Sequence, residues 1–247
     1  MGCDIHLYIE QQQADRTWRR VQSPPWVCSW CLGQPMPEGR KQECYNCGGS
    51  GKTAKAFDDR NYDLFGMLAN IRNGRGFAGV DTEDGFVPLA EPRGKPKDMS
   101  PELKRGKKLP GDEYAPYLGD HSFSYATLAE VLEYDYSRTT KKRGIVSDLE
   151  YHKWVQDGRK GSPDSWCGGV SGSGVRHVTQ KKMDKLIANG DAGPNCKDKL
   201  ALPQYYTEVE WEVTYRESAG GGWFAFLEAC TTLGDPKKVR LVFGFDS

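Results

Sequence analysis

Four cysteines carry the strongest chemical signal in the chain. Two residues separate Cys28 from Cys31, two separate Cys44 from Cys47, and twelve lie between the pairs. Each pair makes a tight knuckle whose thiolates converge on one ion, and two knuckles complete the tetrahedral ligand set of a structural zinc site. Gly33 and Gly48 follow their cysteines closely, where small residues let backbone amides turn toward sulfur. Four protein ligands close such an ion to substrate, so it contributes folding energy rather than catalysis. Trp26, Trp30 and Tyr45 are expected to pack around the metal.

A second set of residues offers acid, base and anion-binding groups. Asp4 and His6 are two apart in an alternating stretch, so both project from one face of a strand. A carboxylate and an imidazole placed this way can share a divalent metal or act as an acid–base pair. The same two residues also suit a buried histidine satisfied by its neighbour. Asp120, His121 and Ser122 follow Gly119 in a short polar loop expected to lead directly into a helix, whose N-terminal amides favour anions. Arg60 and Asp63 open another expected helix. Arg72, Asn73 and Arg75 surround its glycine-containing exit, which suits a phosphate or carboxylate.

The chemical expectation is therefore catalysis by Asp4, His6, Asp120 and His121. Arg60, Asp63, Arg72, Asn73, Arg75 and Ser122 are expected to bind the ligand, and a second divalent ion is expected at Asp4, His6 and His121. Gly48 to Thr53 resembles the end of a phosphate-binding loop, but Asn46 stands where that pattern needs glycine, so the segment reads as a linker. Cys3, Cys167, Cys196 and Cys230, with His177, fit no ligand spacing and read as free thiols.

The elements that must position these groups follow from periodicity. Residues 3–10 alternate as a half-buried strand does, and a second strand is expected at 17–21. Residues 23–55 are rich in Pro, Gly and Cys, with too few aliphatics to fold without a cross-link. A helix is expected over 60–72, capped by Asp58 or Asp59 and ended by Gly74. Residues 81–120 read as loop. Thr127 to Glu130 and Ser147 to Glu150 read as capping boxes, and a further helix fits 179–189. Val209, Trp211, Val213 and Tyr215 alternate with acids in a strand with one acidic face. A helix over 223–233 and a last strand over 239–245 complete the chain. The fold class is α+β: an antiparallel sheet from the N- and C-terminal strands, covered by helices. Residues 1–22 and 56–247 are expected to form that domain, with 23–55 as an inserted four-cysteine zinc ribbon.

Composition narrows the function classes. The 247 residues carry 34 basic and 34 acidic side chains, a balance that argues against broad nucleic-acid coating. No apolar run reaches the ~20 residues of a membrane span, and no secretory signal is evident. Eight cysteines without a signal point to a reducing cytoplasm, so a cytoplasmic location is expected.

Several segments together resemble an uncharacterised family of phage and bacterial proteins whose members open with Met-Gly-Cys or Met-Gly-Thr and then Asp-Ile-His. The matching stretches are MGCDIH at 1–6, RNYDLFGMLANIRNGRGFAG at 60–79, PLAEPRG at 88–94 and GDHSFS at 119–124, in the family's order. The resemblance covers about a third of the chain, and the ribbon looks like an insertion that many members lack. It implies a phage or prophage origin, a bacterial host cell and one site shared by these clusters, and it names no ligand. The leading expectation is a metal-dependent phosphodiesterase or other nucleotide hydrolase, clearing a nucleotide signal of host antiviral defence. Two alternatives stand beside it: a non-catalytic protein that sequesters a nucleotide-like ligand, and a zinc-ribbon module that binds nucleic acid or protein.

Overall fold

The computed structural model describes residues 2–28, 31, 44, 47–55, 57–112, 114–196 and 204–246. Trp30, Gly33, Tyr45 and Asn46 lie outside the described residues. In chain order the strands are β1 (Ile5–Gln12), β2 (Trp18–Val21), β3 (Trp26–Val27), β4 (Lys52–Thr53), β5 (Phe57–Asp59), β6 (His121–Thr127), β7 (Thr139–Ser147), β8 (Val175–His177), β9 (Gln204–Thr214) and β10 (Val239–Phe245). The helices are α1 (Tyr62–Ala69), α2 (Pro101–Lys104), α3 (Leu128–Glu133), α4 (Asp148–Gln156), α5 (Gln180–Asn189), α6 (Tyr215–Ala219) and α7 (Gly221–Thr231). The fold is mixed α+β, as the sequence implies, and its sheets are antiparallel apart from the parallel pair β8–β9.

The chain divides into two compact units where one α+β domain was expected. The first comprises Met1–Asn73, Val87–Tyr136 and Arg216–Ser247, the second Gly74–Phe86 and Ser137–Tyr215. The reason lies in β9. Its apolar side chains Val209, Trp211 and Val213 are buried with Tyr151 and Trp154 of α4 and Met183 and Leu186 of α5, which gives the second unit a core of its own. The opposite face keeps Glu208, Glu210 and Glu212 exposed, with Arg143 and Lys141 of β7 directly across from Glu210 and Glu212.

The first unit is built on the sheet β2–β1–β10–β6, with β5 also paired to β1. N- and C-terminal strands are neighbours here: Ile5 faces Phe245, Leu7 faces Phe243 and Ile9 faces Leu241. These residues form one apolar face, and Phe65 of α1 meets Phe245 with ring centroids 5.0 Å apart. Trp223 and Phe226 of α7 meet Phe57 of β5 at 5.2 and 5.1 Å. Helix α3 starts at the expected capping box of Thr127 and Glu130. Helix α1 is capped by Asn61 rather than Asp58 or Asp59, because β5 takes up both aspartates. It ends at Asn70, whose left-handed backbone (φ 58°) lets its amide close onto Gly66 and Phe65, before Gly74 is reached.

The other face of the sheet is polar, and satisfying it dictates what covers it. Glu10, fully buried, lies opposite Arg240 on β10 and Arg20 on β2. Arg240 donates to Glu10 at 2.7 Å and to Asp98 at 2.7 Å, and its guanidinium lies 4.1 Å from the Trp18 ring centre. Glu10 also accepts the Ser100 amide at the start of α2. Arg20 makes a two-pronged pair with Asp112, at 2.5 and 2.9 Å, and lies 4.9 Å over Tyr8. These bonds draw the segment 95–118 across the sheet, where Met99, Leu103 and Leu118 bury against Val242, Tyr8, Phe123 and Tyr125.

Asp112 links Arg20 to that segment, so Asp112→Ala leaves a buried guanidinium without its carboxylate. A stability loss of about 3 kcal/mol is expected in urea unfolding. Burial alone would raise Asp98 and Asp112, but the hydrogen bonds from Arg240 and Arg20 outweigh it and hold both carboxyls below the 3.8 of a free aspartate. Both pairs therefore contribute fully above that value and are lost as pH falls through the depressed values. Hydrogen exchange across 95–118 should accelerate on acidification in that window before the rest of the unit opens.

Candidate functional site

Two centres lie in the first unit, one of sulfur and one of carboxylate and imidazole. The four cysteine ligand atoms all fall within 4.8 Å of one another. Cys28 and Cys44 sulfurs are 3.8 Å apart and those of Cys31 and Cys47 3.7 Å. These separations match the ~3.8 Å edge of a tetrahedron whose centre is ~2.3 Å from each sulfur. They are far longer than the ~2.05 Å of a disulfide. The cluster can hold a metal ion and is consistent with a zinc ribbon.

The glycine-rich segment after Cys47 has a definite use. Gly48, Gly49 and Gly51 take positive φ of 56°, 82° and 73°. Burial raises the Cys47 thiol, yet the Gly51 amide, the neighbouring Cys44 and Cys31 sulfurs and the Gly49 amide outweigh it and hold the group below its usual value. The likeness to a phosphate-binding loop thus has a physical basis: the amides face a thiolate instead of a phosphate. The segment is more than a linker, because it completes the knuckle.

The second centre sits at the end of the polar face, where β1 enters the sheet. His6 lies opposite Asp58 on β5 and Gly244 on β10. Its Nε2 is 2.9 Å from a carboxylate oxygen of Asp246. The other oxygen of Asp246 accepts the Asp4 amide at 2.9 Å, and the Asp246 amide returns a bond to the Asp4 carbonyl. Asp4 is itself held by two bonds from Arg60, at 2.5 and 2.7 Å. Gly2 permits this, since a Cβ there would come within 2.8 Å of the Arg60 guanidinium carbon.

Electrostatics separate the carboxyls of this centre. Burial pushes Asp58 up against the pull of His6, and Asp4, Asp246 and Asp59 push it further. Burial also acts on Asp246, but hydrogen bonds from His6 and the Asp4 amide hold it below the ordinary aspartate range. One carboxyl is therefore biased to hold a proton and its neighbour to stay ionised.

His6 and Asp58 open onto a cavity of about 570 Å³. Its sheet side is Tyr8 and Arg20, its far side Asp112 and Tyr114 from the segment pinned over the sheet, and its remaining wall Lys52, Thr53 and Lys55 of the ribbon. Tyr8 is fixed there by the Tyr117 amide at 2.9 Å, and Tyr117 lies 5.1 Å from the His6 ring.

The expected site residues divide accordingly. Asp4, His6 and Arg60 come together. His121 approaches the same centre, but its Nε2 lies 3.3 Å from the Asp246 carbonyl oxygen, its Nδ1 is 2.9 Å from Ser122 Oγ, and its ring stacks on Phe245. Asp120 is anchored through its amide to Phe245 and keeps its carboxylate 3.9 Å from His121. The loop expected to lead directly into a helix is strand β6, paired to β10, and seven residues separate Asp120 from α3. Gly119 makes this possible: with φ 81° it passes so close to Phe245 that a Cβ would lie 2.2 Å from the Phe245 oxygen.

Arg72 lies over the Tyr62 ring at 5.0 Å, just beyond α1. Asn73 fills the space left by Gly66 and donates to Asn70. Asp63 stands in the first turn of α1. Arg75 belongs to the second unit, 3.7 Å from Asp81. Among the described residues, only the four cysteines form a group of three or more donors close enough for one ion. Asp4, His6 and His121 are not gathered as a ligand set, because Arg60 occupies Asp4 and a carbonyl takes His121. Cys167, Cys196 and His177 likewise turn to separate carbonyls, those of Ile145, Asp191 and Val170.

Asp246 and Asp58 are functional candidates that sequence reasoning passed over. Neither has a motif; the signal available was alternation, which puts Asp246 one step beyond the Phe245 face on the last strand. Comparison with family models, curated proteins and solved structures finds no match for this chain.

Gly119→Ala is expected to cost at least about 2 kcal/mol in chemical denaturation, from the backbone clash and the positive φ together. For the sulfur centre, Co²⁺ loading should give tetrahedral thiolate spectra at one ion per chain, and Cys44→Ser should weaken that binding by at least roughly tenfold.

Proposed function

We propose that this protein takes a small, phosphorylated, nucleotide-like molecule into the cavity and hydrolyses a phosphoester bond there, with zinc as the ion of the ribbon. The observation that carries this reading is the His6–Asp246 pair, 2.9 Å apart, at a cavity of about 570 Å³ whose ribbon wall holds Lys52 and Lys55. That volume is in the usual range of small-molecule sites.

Each residue has a definite task. Asp246 accepts from His6 Nε2–H, which fixes the tautomer and the orientation of the ring. His6 Nδ1 makes no hydrogen bond among the described residues, so it is the nitrogen assigned to accept the proton of an attacking water. As water oxygen bonds to phosphorus, the bond to the leaving oxygen breaks, and the raised Asp58 carboxyl supplies that oxygen with a proton. Lys52 and Lys55 offset the phosphate charge. The zinc, with four protein ligands, holds the ribbon and takes no step. The phage-like motifs support placing the activity in counter-defence in a bacterial cytoplasm, where it would clear a host nucleotide signal. Sequestration without turnover is the second reading, favoured by the two bonds from Arg60 that withdraw Asp4 from chemistry.

The test incubates purified protein with linear and cyclic nucleotides, with and without Mg²⁺ or Mn²⁺, and analyses filtrate and protein-bound fractions by mass spectrometry. Hydrolysis that falls at least about 100-fold in His6→Ala and in Asp246→Asn, with the nucleotide still retained, supports the enzyme. An intact nucleotide released only on denaturation supports sequestration. Absence of both overturns the reading.

A further inference from the structure

We infer that the cysteine ribbon is the anion-recognising wall of the cavity, so that its metal sets ligand affinity without being a ligand of the substrate. The inference rests on the cavity being the binding site for a phosphorylated molecule, as proposed above, and adds which element recognises the phosphate.

The ribbon has a root and a tip, held by different forces. At the root, Trp26 is buried 5.9 Å from both Phe57 and Phe226, and its indole N–H donates to the Lys55 carbonyl. Thr53, also buried, pairs with Trp26 on the ladder. This part belongs to the core of the first unit and needs no metal. The tip is different. Strands β3 and β4 have two residues each, too few to hold a hairpin together on their own. Beyond them, among the described residues, the Cys28 amide bonds the Gly51 carbonyl, the Gly48 and Cys47 amides bond the Cys44 carbonyl, and the four sulfurs converge. No disulfide joins these sulfurs, so a bound ion is what would cross-link them.

Lys52 stands at the junction of root and tip. It follows Gly51, which is tied to Cys28, and precedes Thr53 in the ladder. Cys47 itself lines the cavity beside Lys52 and Lys55. The backbone at Lys52 is therefore held from the metal side, whereas Lys55 is held by the root and His6, Asp58 and Tyr8 by the sheet. The cavity joins a rigid catalytic floor to a wall whose order depends on metal occupancy.

Opposing charges inside the cavity sharpen the assignment. Arg20 and Asp112 neutralise each other in their two-pronged pair. Lys52 and Lys55 place two ammonium groups on the ribbon wall, the kind of donor a phosphate pairs with.

Isothermal titration calorimetry with AMP, ADP and a cyclic dinucleotide tests this on four proteins: wild type loaded with Zn²⁺, wild type stripped by chelator and desalted, and loaded Lys52→Ala and Lys52→Arg. Hydrogen exchange of the backbone amides of 57–59 and 221–231, which surround Phe57, Trp223 and Phe226, reports whether the core is intact in each. The expected result is unchanged protection of those amides throughout, with affinity at least about tenfold weaker in the stripped protein and in Lys52→Ala, the loss of one charge-assisted contact, and largely restored in Lys52→Arg. Equal affinity in loaded wild type, stripped wild type and Lys52→Ala overturns the inference while leaving the cavity reading in place. Loss of that protection on stripping overturns the separation of root from tip. No binding to the loaded wild type overturns the cavity reading and this inference with it.

Discussion

The polar face of the first sheet has to be neutralised, and much of the molecule follows from how that is done. Glu10, Arg20 and Arg240 lie side by side on three adjacent strands, all buried. Charges removed from water demand partners with good geometry, and Asp98, Ser100 and Asp112 supply them. Because all three come from the irregular stretch 95–118, that stretch is drawn over the sheet although it contains only one turn of helix. Its far end then overhangs Tyr8 and His6 without filling the space above them. The cavity is what remains between an overhang fixed by arginines and a ribbon fixed by sulfur.

Local features of this architecture were legible in the sequence to the extent that they depend on near neighbours. Alternation at 3–10 and 208–215, the capping box at Thr127 and Glu130, and the two cysteine knuckles all express interactions within a few residues, and each appears where its pattern placed it, except that Tyr215 opens α6 instead of ending β9. The misreadings share a cause too. The stretch 119–124 is polar and led by glycine, which locally reads as a loop. Pairing with β10, more than a hundred residues away, makes most of it strand. Asp58 and Asp59 have the chemistry of helix caps but are claimed by β1. The second unit escaped notice because β9 has the same alternation whichever core it serves.

Site chemistry was harder to read than site location. Asp4, His6 and Arg60 were identifiable as unusual polar residues around an opening strand, and they do meet. What each does is decided by Asp246, which has no motif and acts through position alone: one carboxylate oxygen orients His6 and the other holds the Asp4 amide. With that residue unassigned, a shared metal was a reasonable way to bring two histidines and an aspartate together. Asp246 gives His6 a hydrogen-bonded carboxylate partner, and hydrogen bonds to a carboxylate orient an imidazole.

The adjacency of β1 and β10 at the centre of the sheet carries a consequence for biosynthesis. Residues 5–11 emerge from the ribosome early, yet their partner is the strand 239–245, and the carboxylate that orients His6 follows it. For most of the time the chain is being made, β1 has at best its short contacts with β2 and β5, and one of its backbone edges stays open. Such delayed pairing is slow to form and exposes an apolar edge to other chains. The alternating residues of the N-terminal segment, half of them polar or charged, limit that exposure while the strand waits. Formation of the His6–Asp246 pair and closure of the sheet are consequently the same late event, so that pair reports that the chain has passed its principal folding checkpoint.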